Sequence, residues 1–177
     1  KHFNYQGENV YFTIEKGTSN SLRELAKELK VSLYSLLLSA YYLTLSSYSN
    51  QDDIVIGTSV ANRHYNQIEN LIGFFVNTLA LRINIDKKES IKSFIERVGN
   101  EVVSAQLHQD LPFEKLVEVL HIEQDTSRHP IFQIMFAVQN FARQLNKPQT
   151  GTYELEGSNI QELLQPYGSV VKLYKSA

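Results

Sequence analysis

The spacing of apolar residues along the chain predicts an alternation of strands and helices. Between Asn9 and Glu15, Val10, Phe12 and Ile14 recur at period two, which is typical of a half-buried strand. Gly17 to Asn20 breaks this pattern. A helix capped near Ser21 follows, with leucines at helical spacing on one face only.

The next segment predicts a buried helix followed by two strands. Ser32 is placed to cap a helix that runs to about Tyr48, and its apolar residues surround nearly the whole helix. Such a helix lies between other elements. Ile54 to Gly57 is typical of a short buried strand, and Leu79 to Ile85 alternates like another.

The second half predicts two more helices and two more strands. One helix covers Ser90 to Leu107, and Asp110 and Pro112 open another, with Pro112 in its first turn. A strand is expected over residues 130–139 and a last one over residues 169–174, on either side of a polar stretch. The sequence therefore predicts a single α/β unit, a mixed sheet on two or more helices.

Composition narrows the classes of function. With 17 basic and 19 acidic residues the net charge is −2, which argues against a nucleic-acid or membrane partner bound by bulk charge. The chain has no cysteine, which excludes disulfides, zinc–thiolate sites and thiol nucleophiles and fits a cytoplasmic protein. Its first residues show neither an initiating Met nor a signal-peptide pattern, so we expect a piece of a longer polypeptide.

Local chemical patterns are few. The five histidines are scattered, so no metal site is predicted. His121 and Asp125 have the His-x-x-x-Asp spacing of an acyltransferase superfamily, but a polar surface turn is the favoured interpretation. Asp110 with Glu114 is better explained by helix capping than by a catalytic carboxylate pair. Arg82 and Arg128 could bind an anion, although an ion pair is favoured for both.

Four segments carry a family resemblance. They run from Val31 to Gly57 with Arg63 beyond it, from Ile72 to Arg82, from His108 to Glu114, and from Asp125 to Phe136. The first segment resembles the long buried helix of a known family and the GQDDIVIGTP-type strand that follows it. The second, third and fourth segments resemble the motifs IGxFVNTLxLR, HQDxPFE and RDxSRxPLFQVMF. These are motifs of the C-terminal half of a nonribosomal peptide synthetase condensation domain. The likeness covers about residues 10–140, and Val171 to Tyr174 resembles the family's AKFDL strand with Tyr174 where Asp is usual.

The family's catalytic HHxxxDG motif has no counterpart in this chain. No two histidines are adjacent anywhere in the 177 residues, and His121 and Asp125 align with a variable turn before the fourth motif. The resemblance therefore implies that residues 1–177 form the C-terminal subdomain, that the N-terminal catalytic-His subdomain lies elsewhere in the polypeptide, and that this fragment is inactive alone.

The resemblance also implies a fold, a reaction and partners. The fold would be a chloramphenicol-acetyltransferase-like lobe, an α+β sandwich with a mixed sheet packed on helices. The reaction would join aminoacyl and peptidyl thioesters through a peptide bond, and the fourth motif favours this condensation over epimerisation. Carrier domains would present both substrates on 4'-phosphopantetheine, and the lobe would bind no cofactor itself. The other partner would be the N-terminal lobe, with which it would form a substrate tunnel.

Several residues are assigned roles by this resemblance. We expect three polar residues of the second motif at the tunnel or the seam between lobes: Asn77, Thr78 and Arg82. Residues expected to organise the lobe, through capping and an ion pair among other contacts, are Gly73, Phe75, Asp110, Pro112 and Arg128. No catalytic or metal-binding residue is assigned.

Two other hypotheses remain open. The chain could be a noncatalytic module that binds carrier domains or assembles synthetase subunits, or an independent acyltransferase that uses His121 and Asp125. In addition, a lobe without its partner would expose apolar surface, so self-association of the fragment is expected.

Overall fold

The computed structural model describes residues 9–63, 67, 71–122, 128–138 and 174–175. The elements in these residues are listed in chain order: α1 (Lys16–Glu28), α2 (Leu33–Ser49), β1 (Asp53–Val60), β2 (Asn77–Asn84), α3 (Ile91–Leu107), α4 (Phe113–Val119), β3 (Ile134–Met135) and β4 (Tyr174–Lys175). The predicted fold class, an α/β unit with a mixed sheet on helices, is confirmed.

The strands form one mixed sheet in the order β2-β1-β3-β4. β1 and β2 pair antiparallel along their whole length, and Gly57 lies opposite Ala80. On its other side β1 pairs parallel with β3, where Gly57 is the partner of Met135, and β4 pairs antiparallel with β3. β1 is therefore an inner strand, while β2 is an edge strand of this described sheet.

Helix α2 lies between α1 and the sheet, as its apolar residues on all sides predicted. Leu38 and Tyr42 are fully buried in the main core with the sheet residues, whereas Leu36 is buried in a second cluster with α1. Ser32 is the N-cap, since its Oγ accepts a hydrogen bond from the backbone N–H of Ser35 at 3.0 Å. The phenol of Tyr42 donates to the carbonyl of Leu81 at 2.7 Å.

Helix α3 covers the same face of the sheet beside α2. Ser90 caps it by accepting from the backbone N–H of Ser93 at 3.2 Å. Phe94, Val98 and Val102 enter the main core with the inward residues of β1 and β2. Because strand side chains alternate between faces, the odd-numbered residues of β1 and the even-numbered residues of β2 point to the second face of the sheet, opposite α2 and α3.

The first predicted strand is wrong. Residues 9–15 pair with no strand among the described residues, and Val10 and Phe12 are exposed. A period-two pattern makes a strand only where a neighbouring strand accepts its backbone hydrogen bonds. Helix α1 also begins earlier than predicted, because the backbone N–H of Ser19 already donates to the carbonyl of Glu15 at 2.9 Å.

The strand expected over residues 130–139 is also shorter than predicted. Ile131 has a φ of 70°, and the N–H of Phe132 donates to the carbonyl of Pro130 at 2.8 Å, so the chain turns before β3. The pairing resumes at Ile134. Of the last predicted strand, residues 169–173 lie outside the described part, while Tyr174 does pair in β4.

In the part of the chain that the structure describes, no helix has both the length and the apolar character needed to cross a membrane.

Candidate functional site

The four motif segments converge on one end of the sheet. Their meeting point involves Gly57 of β1, Asn77 of β2, Phe113 of α4 and Phe132 in the turn before β3. These residues are separated along the chain by tens of positions. This junction is the candidate functional site.

Asn77 is the polar centre of the junction. Its Nδ2 donates to the carbonyls of Gln109 and Leu111, both at 2.7 Å. Its Oδ1 accepts from its neighbour, the N–H of Thr78, at 2.8 Å and from the N–H of Phe113 at 3.2 Å. Both donors and both lone pairs of the amide are thus used. The side chain joins the start of β2 to the turn between α3 and α4.

An aromatic cluster completes the junction. Phe113 is buried and lies 5.5 Å from the ring of Phe132, measured between centroids, while His129 lies 4.4 Å from Phe132 and stacks on it. The Phe132 ring fills the space beside Gly57 where a Cβ would stand. Since Gly57 belongs to the odd-numbered residues of β1, Phe132 covers the second face of the sheet at this point.

The loop before β2 is held by Arg63. Its guanidinium donates to the carbonyls of Leu71 at 2.6 Å and Gly73 at 3.1 Å, and it lies over the Phe75 ring at 4.5 Å. Gly73 and Phe75, two predicted organising residues, are thus in contact with a cation from the end of β1. The same loop leaves Ile72 and Phe74 exposed, and 90% of the Phe74 surface is accessible.

Arg82 stands apart from this junction. Its guanidinium forms two hydrogen bonds with the carboxylate of Asp53, at 2.9 and 2.7 Å, on the second face of the sheet. This supports the ion pair favoured from the sequence. The side-chain hydrogen bond lowers the pKa of Asp53 and raises that of Arg82. Thr78 shares that face about 13 Å away, as expected for four residues along a strand.

A cavity of about 330 Å³ lies on the helix side of the sheet, beside the start of β2. Its apolar wall includes Val76, Leu79 and Val102, and its polar groups include Gln106. A phenol also borders it, since Tyr34 donates to the Thr58 hydroxyl at 2.9 Å. Burial raises the pKa of Tyr34, so this phenol keeps its proton and acts as a donor. The cavity suits an apolar group with a small polar end.

The remaining predicted residues fall in different places. The N-cap of α4 is Pro112, one position before the first turn in which it was expected, and it makes no side-chain capping bond. The first amide of the helix, that of Phe113, donates to the Oδ1 of Asn77. That Asp110 helps to cap this helix stays a prediction. Arg128 is exposed. His121 is exposed in a turn with φ of 50°, and Asp125 lies outside the described residues.

Four residues of the junction and its loop have contacts that the sequence did not predict: Gly57, Arg63, Phe113 and Phe132. Gly57 had a usable signal, since a glycine inside a strand often marks the close approach of another group. Among the described residues, no three His, Asp or Glu side chains are grouped so that they could hold a metal ion.

Comparison with known sequences finds a matching family model and several relatives. A family model described as "Condensation domain" matches residues 1–172. The N-(5-amino-5-carboxypentanoyl)-L-cysteinyl-D-valine synthase of Amycolatopsis lactamdurans is 46% identical over 138 residues, 78% of this chain. Surfactin synthase subunit 1 of Bacillus subtilis is 45% identical over 136 residues, 77% of this chain. The chain spans 4% of the length of each of these two relatives.

Several solved structures are also similar to this chain. A holo four-domain nonribosomal peptide synthetase bound to AMP and glycine is 33% identical, with a TM-score of 0.68 over 69% of this chain and 9% of that one. The X-domain from teicoplanin biosynthesis is 28% identical, with a TM-score of 0.62 over 67% of this chain and 26% of that one. The condensation domain of a monacolin K polyketide synthase, 24% identical, shares the fold with a TM-score of 0.63 over 68% of this chain and 28% of that one. These likenesses confirm the predicted chloramphenicol-acetyltransferase-like fold.

Proposed function

This chain belongs to the condensation domain family, and from that premise we propose that it is the C-terminal subdomain of a peptide-bond-forming condensation domain in a nonribosomal peptide synthetase. Residues 1–177 would be one lobe, and the N-terminal lobe with the HHxxxDG motif would be supplied by other residues of the same polypeptide. The observation that carries the proposal is the junction, where all four family motifs contribute a residue to one set of contacts.

In the proposed reaction, the amine nitrogen of an acceptor aminoacyl thioester attacks the carbonyl carbon of a donor thioester. A C–N bond forms and the C–S bond breaks, and the departing sulfur takes up the proton that the nitrogen releases. Both substrates would arrive on 4'-phosphopantetheine arms of carrier domains. The contribution of this lobe would be to orient the two substrates in a tunnel shared with the N-terminal lobe.

Two features of this chain support a role in orientation and not in proton transfer. The chain contains no His-His pair, and His121 lies in an exposed turn after α4. Polar residues of the second motif occupy two surfaces, since Asn77 faces α4 while Thr78 and Arg82 face the second side of the sheet. We propose that the second surface, with Arg82 and Asp53, lies at the tunnel or the seam between the lobes.

A noncatalytic role in binding carrier domains or assembling subunits is the second candidate. The observation that favours it is the loop 71–76, which Arg63 holds in place while Ile72 and Phe74 are exposed. Such an apolar surface is typical of a contact with another protein surface.

A reconstitution experiment distinguishes the candidates. Carrier domains loaded with a donor and an acceptor would be mixed with this chain alone, and with the same chain joined to the residues that precede it in its reading frame. We expect dipeptidyl thioester, detected by mass spectrometry, only from the joined protein. No product from either protein, together with carrier binding by both, would favour the noncatalytic module. Product from the chain alone that is lost in His121→Ala would instead establish an independent acyltransferase.

A further inference from the structure

We infer that Asn77 is a positioning residue of the condensation reaction, which acts by fixing helix α4 and the turn before it against strand β2. The inference rests on the proposed function. It gives a specific role to a residue expected at the tunnel or the seam between lobes, since the Asn77 side chain is fully engaged in hydrogen bonds within the chain. Asn77 would therefore influence the substrates through the groups that it holds.

The hydrogen-bonding groups around residue 77 match the donors and acceptors of an asparagine side chain. Two backbone carbonyls, of Gln109 and Leu111, converge on Nδ2, and two backbone amides, of Thr78 and Phe113, converge on Oδ1. Aspartate has the same shape but no donor, so it would face two carbonyl oxygens without a proton between them. Serine has a single hydroxyl and alanine has no polar group.

Helix α4 depends on this contact for its placement. It has only seven residues, and a helix of this length is unstable without tertiary contacts. Its own N-cap, Pro112, offers no side-chain acceptor to the first amides of the helix. The Oδ1 of Asn77, from a strand 36 positions earlier in the chain, supplies that acceptor to Phe113.

The position of α4 determines where the other residues of the junction pack. Phe113, whose amide Asn77 holds, packs on Phe132, and Phe132 covers Gly57 on β1. On the other side of Asn77, Val76 forms part of the wall of the 330 Å³ cavity. A shift at residue 77 would therefore move both a sheet-covering ring and a cavity wall. Small displacements of orienting groups reduce reaction rates strongly, even in a protein that stays folded.

The test uses the intact condensation domain and three variants. Asn77→Ala removes all four hydrogen bonds, whereas Asn77→Asp keeps the acceptor for Phe113 and loses both donors. Asn100→Ala is the matched control, an exposed asparagine on helix α3. The readouts are kcat and KM for the loaded acceptor carrier, the melting temperature, and amide hydrogen exchange at Phe113.

For Asn77→Ala we expect kcat to fall about tenfold or more at a temperature where the variant is folded, with KM changed less than about threefold. Exchange at the Phe113 amide should accelerate. Asn77→Asp should keep that amide protected and still lose kcat, because the turn carbonyls are released. Asn100→Ala should match the unsubstituted protein. If Asn77→Ala does not fold, Asn77→Asp carries the kinetic test.

Three outcomes would overturn the inference. These are a kcat within about twofold of the unsubstituted protein in both Asn77 variants, an unchanged Phe113 exchange rate in Asn77→Ala, and a loss of kcat of the same size in Asn100→Ala. Failure of the proposed function looks different. In that case the unsubstituted protein forms no peptide bond, while the exchange measurement still decides whether Asn77 holds α4.

Discussion

The ring of Phe132 lies against Gly57 in the space that a Cβ would occupy. Strand β1 and the fourth motif segment can approach each other this closely only because residue 57 has no side chain. Gly57→Ala should therefore lower the free energy of unfolding by about 1–3 kcal/mol, the usual result of forcing an extra carbon into a packed site. Denaturant unfolding measures this difference.

The matched control for this prediction is Gly17→Ala. Gly17 lies in helix α1 with open space around the position of a Cβ. Alanine should be neutral there or stabilise by up to about 1 kcal/mol, because it favours the helix. Equal unfolding energies for the two variants would show that the contact between Phe132 and Gly57 is not close.

The buried hydroxyl of Tyr42 supports the edge of the sheet. It donates to the carbonyl of Leu81 on β2, and both residues are buried. Tyr42→Phe would leave that carbonyl without its donor, so we expect a loss of about 1–3 kcal/mol in unfolding free energy. The same change at Tyr48, which lies on the same helix with 90% of its surface exposed, should have no measurable effect. A neutral Tyr42→Phe would contradict the bond.

Acid should weaken the protein partly through Glu89. Its hydrogen bond with Arg97, with a contribution from Ser93, lowers the pKa of Glu89 below its usual value of 4.5. A carboxyl whose folded pKa is lowered stabilises the protein above its unfolded pKa, and this stabilisation is lost as the pH falls through the folded pKa. The melting temperatures of the unsubstituted protein and of Glu89→Gln should therefore differ most at neutral pH and converge well below pH 4.5.

The control for Glu89 is Glu118→Gln, which removes an exposed carboxylate paired with Lys115. Its melting temperature should follow that of the unsubstituted protein over the same pH range, since exposed ion pairs contribute little. A difference in melting temperature between Glu89→Gln and the unsubstituted protein that increases as the pH falls would contradict the prediction.

Arg82 tests the proposed tunnel surface. In the intact condensation domain, Arg82→Ala should lower the condensation rate more than it lowers the melting temperature, because its ion pair with Asp53 is exposed and contributes little to folding. Lys87→Ala removes another exposed ion pair, with Asp52, and should leave the rate unchanged. If Arg82→Ala mainly lowers the melting temperature, the ion pair is a structural feature of the sheet.

The isolated chain should self-associate through its exposed apolar loop. Ile72 and Phe74 project from the loop that Arg63 holds, and contiguous apolar surface of this kind favours association in water. Sedimentation velocity over a wide concentration range should show a concentration-dependent average mass. Replacing Ile72 and Phe74 together with serine should reduce that dependence. A monomer at every concentration would refute the prediction.

The sequence by itself determined the elements whose signals are local. Ser32 caps α2 as predicted, and Ser90, predicted as the first residue of its helix, caps α3. A capping side chain bonds to an amide only three residues away. The apolar residues around α2 also indicated its buried place, and the four motifs identified the family and the fold.

Only the tertiary structure decided how those elements meet. The period-two pattern over residues 9–15 has no neighbouring strand among the described residues, and the first amide of α4 finds an acceptor in Asn77, 36 positions earlier in the chain. Helix periodicity and caps depend on groups three or four residues apart, which a sequence displays directly. Strand pairing, the close approach of Phe132 to Gly57 and the four bonds of Asn77 depend on which distant segments the fold brings within hydrogen-bonding or van der Waals distance.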